Sequence, residues 1–439
     1  MTLRFGTDGV RGHAHTELTP DLVVALGRAA ARVLGAGPVV IGRDTRASGP
    51  RLEADLAAGF AVEGLTVDNV GVVPTPAVAH ASMTRSVTGA MISASHNAYV
   101  DNGIKFFAPG GRKLSDEVEE RLEAELDGLL HEPVPILPDV SAVVDDSVGA
   151  AWVDAVVGSV PAGALDGLQL VVDCANGSAS RWAPRALERL GATVEVIHAE
   201  PDGTNINAGC GSTHPEDLQA RVVASGADAG LAFDGDADWV LGVDASGALV
   251  DGDHLIAICA LDRHRRGELV DDTVVVTVMA NLGFRLAMEA NGIRVEETAV
   301  GDRYVLEALA RGGWCLGGEQ SGHVIFPGLA TTGDGLLTGV QVLAAVRAAG
   351  QTVAEAATVM TSLPQVLVNV RVVQRRPDIA DRLAGPIADA EARLGPRGRV
   401  LIRPSGTEPL VRVMVEAEDT TVAEEVAGAL AAAVEAASA

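Results

Sequence analysis

The run Asp234-Gly235-Asp236-Ala237-Asp238 alternates three carboxylates with two small residues, directly after the apolar stretch Leu231-Ala232-Phe233. Carboxylates this close repel one another unless something positive sits between them. Hard divalent cations such as Mg²⁺ take oxygen ligands of this kind. The small spacers let the backbone curl until the side chains converge. Taken alone, the pattern also fits a solvated acidic turn.

Other short loops add chemistry. Met91-Ile92-Ser93-Ala94-Ser95-His96-Asn97 ends an apolar strand in hydroxyls and an imidazole. A serine there can act as a nucleophile or phosphate acceptor. Asp101-Asn102-Gly103-Ile104-Lys105 follows and brings a lysine that could hold an anion. Gly318-Glu319-Gln320-Ser321-Gly322-His323 offers a carboxylate, an amide, a hydroxyl and an imidazole, a set suited to hydrogen-bonding a polyol. Its histidine could also shuttle a proton. Arg403-Pro404-Ser405-Gly406-Thr407-Glu408-Pro409 combines a guanidinium, two hydroxyls and backbone N–H groups around a glycine, a possible phosphate cradle. Phe5-Gly6-Thr7-Asp8-Gly9-Val10-Arg11-Gly12 and Gly42-Arg43-Asp44-Thr45-Arg46-Ala47-Ser48-Gly49 couple arginines to glycines. Arginine forks suit phosphate oxygens, although either loop alone could be a salt-bridged turn. A phosphate acceptor, a metal site, a polyol loop and positive clamps are the parts that phosphoryl transfer needs.

These loops must be positioned by the elements between them. Pro38-Val39-Val40-Ile41 is expected as a buried strand, Leu52 to Glu63 as a helix, and Leu65-Thr66-Val67 as the next strand. The cycle repeats at 168–172, 183–190 and 193–196, and again at 273–278 and 282–291. Such alternation predicts α/β units with largely parallel sheets. The alternating stretches 366–372, 400–402 and 411–415, followed by an Ala-rich helix, predict a separate α+β module. The fold class is therefore α/β, with three related α/β domains and a smaller α+β C-terminal domain. Breaks near residues 150, 250 and 365 divide the chain into 1–150, 151–250, 251–365 and 366–439. Glu132-Pro133-Val134-Pro135-Ile136-Leu137-Pro138 reads as an extended, helix-breaking linker.

Composition narrows the partners. The 439 residues suffice for several domains, and 48% of them are apolar but only 3% aromatic. A formal net charge of -26 argues against nucleic acid, which needs a basic footprint. The four cysteines, Cys174, Cys210, Cys259 and Cys315, form no CxxC pair, so neither a thiolate zinc site nor a disulfide framework is expected. No apolar leader and no span-length apolar run is present, and a cytoplasmic, membrane-free protein is expected.

With these motifs in this order, the chain resembles the α-D-phosphohexomutase superfamily over essentially its whole length. Within it, the chain resembles the bacterial phosphoglucosamine mutases. The resemblance implies four domains around a central cleft and reversible conversion of glucosamine 6-phosphate to glucosamine 1-phosphate. It implies that Ser95 is phosphorylated, that His96 lies in the catalytic loop, and that Asp234, Asp236 and Asp238 bind one Mg²⁺ with a phosphate oxygen on Ser95 as the fourth ligand. It places Glu319 and Ser321 on sugar hydroxyls, His323 near the reacting end, and Arg403, Ser405, Gly406 and Thr407 on the non-reacting phosphate. Arg11 and Lys105 match basic residues beside the phosphoserine. Lys105 and His323 are both candidate general bases. Glucosamine 1,6-bisphosphate is the implied intermediate or activator, and the implied assembly is a monomer or homodimer.

Subfamily markers are Phe5-Gly6-Thr7-Asp8-Gly9-Val10-Arg11-Gly12, Gln320, and Thr331-Thr332-Gly333-Asp334-Gly335. One position departs from the family pattern: the metal loop normally continues with arginine, and here it continues with Trp239. A neutral indole that can only donate replaces a fixed positive charge. The remaining readings are a phosphomannomutase/phosphoglucomutase, or a catalytically impaired sugar-phosphate-binding homologue on account of Trp239.

Overall fold

The computed structural model describes residues 9–35, 37–133, 135–138, 144–373, 378–404 and 409–438. It divides into two compact units, one formed by 1–279 with 293–359 and the other by 280–292 with 360–439.

The first unit contains three sheets of one plan. In the first, parallel strands Val39–Arg43, Val67–Val72 and Thr88–Ile92 lie together, and the chain then returns antiparallel as Asp101–Ala108. In the second, Gln169–Asp173, Thr193–Ile197 and Ala229–Phe233 are parallel, and Val240–Asp244 returns antiparallel. In the third, Thr273–Thr277, Arg294–Thr298 and Gly317–Gly318 are parallel, and Val324–Ile325 returns antiparallel. The central strands are buried end to end, as at Ala229–Phe233 and Thr273–Thr277, because helices cover both faces.

The sheets are mixed rather than largely parallel. A parallel crossover needs a dozen or more residues. The connections over 93–100, 234–239 and 319–323 are too short for that, so each strand entering them must come back as a hairpin. Those three connections are the serine, aspartate and polyol loops. The returning antiparallel strand is therefore what presents each loop at the end of its parallel core.

The second unit has the antiparallel strands Gln365–Arg371, Leu410–Glu416 and Arg399–Pro404, with helix Thr420–Ser438 packed on them. Its core includes Val370, Val411, Val413, Val415, Val426 and Leu430. Helix Leu282–Ala290 belongs to this unit although it follows a strand of the third sheet. Asn281 caps it by accepting from Gly283 N at 2.9 Å, and also exchanges bonds with the Leu363 backbone at 3.0 and 2.9 Å.

Helix Gly335–Ala348 starts immediately behind the polyol loop, capped by Asp334. One carboxylate oxygen accepts from Leu337 N at 2.9 Å, and the other accepts from the Trp152 indole at 2.7 Å. Trp152 lies on helix Ser147–Gly158, so one carboxylate ties two helices together. Burial pushes the Asp334 carboxyl up from 3.8 to about 6, against the pull of these two donors. The folded chain thus holds a proton that the unfolded chain has released. Stability contributed at this position should fall as pH rises from about 4 to about 6, by on the order of 3 kcal/mol. Asp334→Asn keeps an acceptor for Leu337 but cannot titrate. The stability advantage of wild type over Asp334→Asn in urea titrations is expected to shrink across that window. A difference independent of pH would refute the assignment.

Candidate active site

Ser95 sits in the hairpin after Thr88–Ile92 with a left-handed backbone, φ 51°, a conformation that is uncommon outside glycine. It needs strong support to persist. The support is Arg46, whose side chain is fully buried. Its guanidinium donates to the carbonyls of Ser95 at 3.0 Å, Asn97 at 2.8 Å and Asp101 at 3.0 Å, and also to that of Ala98. Its Nε donates to Asp44 Oδ2 at 2.9 Å, and the same oxygen accepts from Ser93 Oγ at 2.6 Å. Ser93 Oγ in turn accepts from Ser95 N at 2.9 Å. Burial pushes the Asp44 carboxyl up, and the adjacent Arg46 charge pulls it back. From the second sheet region, Asn207 donates to Ser95 O at 2.8 Å. One guanidinium with planar, fixed donors thus sets the shape of the serine loop.

The aspartate loop meets the serine loop directly. Ser95 Oγ donates to Asp234 Oδ2 at 2.5 Å. An oxygen from each of Asp234, Asp236 and Asp238 falls within 4.8 Å of the others, and all three residues are buried. At that spacing and an effective dielectric of about 20, each pair of charges costs roughly 3 kcal/mol. Burial first, then the charges of Asp236 and Asp238, hold the Asp234 carboxyl well above the usual carboxylate range. Lys105 Nζ meets Asp236 Oδ2 at 2.8 Å and Asp238 Oδ2 at 3.3 Å. Thr75 Oγ1 donates to Asp236 Oδ2 at 2.5 Å. Three buried carboxylates this close together offer a converging set of oxygen ligands. The donor set therefore fits a hard divalent cation. Ala237 takes a left-handed backbone, φ 57°, that turns the side chains inward. Gly235 is required by close approach: a Cβ there would lie 2.7 Å from Ser95 O.

The polyol loop closes the other side. Arg11, His96, Asp238, Trp239, Glu319, Gln320, Ser321 and His323 line one cavity of about 380 Å³, together with Thr277, Met279 and 300–302. That volume suits a small ligand. Burial pushes the Glu319 carboxyl up, with His323 acting the other way. Glu319 Oε1 accepts from Gly301 N at 3.1 Å. Ser321 Oγ and His323 Nδ1 are shielded and have no hydrogen-bond partner among the described residues, so both are available to a ligand. His323 Nε2 lies 3.7 Å from Asp302 and 4.0 Å from Asp238. The ring is seated on Gly333, where a Cβ would fall 2.2 Å from it. Arg11 reaches the cavity from strand Val10–His13, which pairs with Asp101–Ala108.

Sequence reasoning gathered Ser95, His96, Lys105, Arg11, Asp234, Asp236, Asp238, Glu319, Ser321 and His323, and the first unit brings all of them to one place. The Gly42–Gly49 segment differs from the phosphate-binding expectation: Arg46 grips the serine-loop backbone, and Arg43 pairs with Glu53 at 3.2 Å. Burial decides this, because a fully enclosed guanidinium must spend its donors on nearby carbonyls. Ser405, Gly406 and Thr407 lie outside the described residues, as do Phe5 to Asp8. Arg403 is paired across the second unit's sheet with Arg412. Burial and the neighbouring Arg412 charge both push the Arg403 guanidinium down, so an anion there would be welcome. The sequence reading placed Arg46 in a loop suited to phosphate and gave no role to Asn207 or Thr75. Only Arg46 carried a signal, an arginine beside an aspartate just after a buried strand.

Among the described residues no helix is long and apolar enough to cross a membrane. Four regions match the sequence pattern described as phosphoglucomutase/phosphomannomutase: alpha/beta/alpha domain I over 2–130, II over 150–247 and III over 251–363, and the C-terminal domain over 367–433. Phosphoglucosamine mutase of Frankia alni is 54% identical, covering 100% of this chain and 99% of its own. That of Rhodococcus jostii is 53% identical over 97% and 98%. Among solved structures, a putative phosphomannomutase from Thermus thermophilus superposes with TM-score 0.82 at 25% identity, covering 99% of each chain. Aspergillus fumigatus N-acetylphosphoglucosamine mutase, solved with GlcNAc-6P and magnesium, shares the fold with TM-score 0.70 at 19% identity, covering 100% of this chain and 96% of its own. From the serine hairpin to the C-terminal sheet, the chain belongs to the phosphoglucomutase/phosphomannomutase family.

Proposed function

We propose that this protein is an isomerase that interconverts glucosamine 6-phosphate and glucosamine 1-phosphate by phosphoryl transfer through Ser95, in the cytoplasm. The observation that carries the reading is the Ser95 hydroxyl 2.5 Å from Asp234, within the buried carboxylate trio. The choice of glucosamine rests on full-length relatives at 53–54% identity that carry the name phosphoglucosamine mutase.

In the forward direction the resting enzyme carries a phosphoryl group on Ser95. The O1 hydroxyl of the sugar attacks it, so the P–O1 bond forms as the P–Oγ bond of Ser95 breaks. The proton from O1 passes to a base in the pocket. His323 suits that role, since its ring lines the cavity and its Nδ1 is unengaged among the described residues. Lys105, held by Asp236 and Asp238, serves instead to balance charge. The glucosamine 1,6-bisphosphate then turns over in the pocket. Ser95 Oγ takes the phosphoryl group from O6, O6 receives a proton, and the 1-phosphate leaves. One Mg²⁺ bound by Asp234, Asp236, Asp238 and the Ser95 phosphate would supply electrostatic stabilisation of the transferring group. Glu319 and Ser321 would hold sugar hydroxyls in either orientation. Arg403, with Ser405, Gly406 and Thr407, would hold the phosphate that is not reacting. Arg11 and His96, which line the same cavity, would flank the transferring group.

Ser95→Ala is expected to lose turnover by roughly 10³-fold or more, together with the covalent phosphate in intact mass. Activity near wild type would remove Ser95 from the mechanism. Chelation should abolish turnover and added Mg²⁺ restore it, while Asp236→Asn costs roughly 10²–10³ in kcat. Activity indifferent to chelator would refute the metal site. A kcat/KM for glucosamine 6-phosphate at least about tenfold above those for glucose and mannose 6-phosphates is expected. The reverse order would reassign the substrate.

A further inference from the structure

Trp239 follows the carboxylate trio directly, and its side chain does something that the phosphoryl-transfer scheme does not assign. The indole stacks on the His96 imidazole, with ring centroids 4.6 Å apart and planes 26° from parallel. His96 Nδ1 lies 3.3 Å from Ser95 Oγ. The Trp239 backbone N donates to Asp234 Oδ1 at 3.2 Å, on the carboxylate whose other oxygen accepts from Ser95. The Trp239 backbone is itself confined, since a Cβ on Gly335 would meet Trp239 O at 2.5 Å. Both rings line the cavity that Arg11, Glu319 and Ser321 also line.

An imidazole at the end of a short side chain on a loop has rotamer freedom to lose. A near-parallel aromatic neighbour at this separation restricts that freedom and adds a stacking attraction beyond burial. The partner of the stack is anchored at its backbone to the residue that also receives the serine hydroxyl. Indole, imidazole, serine hydroxyl and Asp234 therefore form a closed ring of contacts spanning the serine and aspartate loops.

We propose that Trp239 is a positioning residue. Its indole clamps His96 so that the imidazole nitrogen stays aimed at the oxygen of Ser95 that gives and receives the phosphoryl group. Position 239 then works through ring geometry rather than charge. This inference rests on the phosphoryl-transfer reading for its kinetic consequence, but not for the stack itself.

The test uses the full-length protein with Trp239→Leu, Trp239→Met, Trp239→Phe and His96→Ala. Trp239→Leu is expected to lower kcat for glucosamine 6-phosphate about tenfold with KM changed less than about threefold, and Trp239→Phe to recover most of that loss. In the double variant His96→Ala/Trp239→Leu, the loss should equal that of His96→Ala alone, because the indole has nothing left to position. The His96 ring protons in wild type should be shifted upfield by the indole ring current and should lose that shift in Trp239→Leu. Trp239→Met answers the same questions if the leucine variant does not fold. Losses that multiply in the double variant, or equal losses for Phe and Leu, would overturn the positioning role. A His96 resonance unmoved by removing the indole would overturn the stack itself. That measurement needs no turnover, so it fails separately from the mutase reading.

Discussion

Three carboxylates share a buried space less than 5 Å across, and the first unit's loops are arranged around that electrostatic problem. Like charges this close disfavour ionisation of all three, and burial together with Asp236 and Asp238 holds the Asp234 carboxyl well above the usual carboxylate range. Lys105 offsets part of that repulsion from the neighbouring strand, and Thr75 and Ser95 donate to two of the three groups. The converging oxygens are of the kind that a hard divalent cation takes. A site built this way gathers oxygen ligands and holds them in place by packing.

Packing in turn depends on one recurring device. Each sheet of the first unit ends its parallel core with an antiparallel return, and each return carries a functional loop at the same end of its sheet. The loops touch through backbone as much as through side chains. Val240 N donates to Gly322 O at 3.1 Å, Gly335 N to Ala237 O at 3.0 Å, and Thr75 N to Asp236 O at 2.9 Å. Such bonds allow little play, which is what phosphoryl transfer requires of groups that must stay within tenths of an ångström. Arg46 serves the same end inside the serine loop, where four carbonyl oxygens converge on a single guanidinium.

Much of the chemistry was legible in the chain itself. The Asp-x-Asp-x-Asp run, the serine and histidine after a buried strand, and the Glu-x-Ser-x-His loop each announce a function through residue type and close spacing. Local sequence also forecast the alternating elements, because the periodicity of apolar residues follows from which faces are covered. The hairpin returns were less visible. They follow from the shortness of the connections, a length argument that residue types do not display.

Sequence alone therefore determined which groups could react, the α/β alternation that carries them, and the unusual indole after the aspartates. Only tertiary structure decided which arginine serves chemistry and which serves the backbone. Arg46 and Arg11 look alike as letters beside glycines, yet one is sealed against carbonyls and the other lines the cavity. Structure likewise joined Trp239 to His96 and Lys105 to two aspartates far along the chain. The physical reason is that desolvation and ion pairing are set by what surrounds a group in space. For these residues, the surroundings come from segments far along the chain, 49 positions away where Arg46 meets Ser95 and 133 where Lys105 meets Asp238.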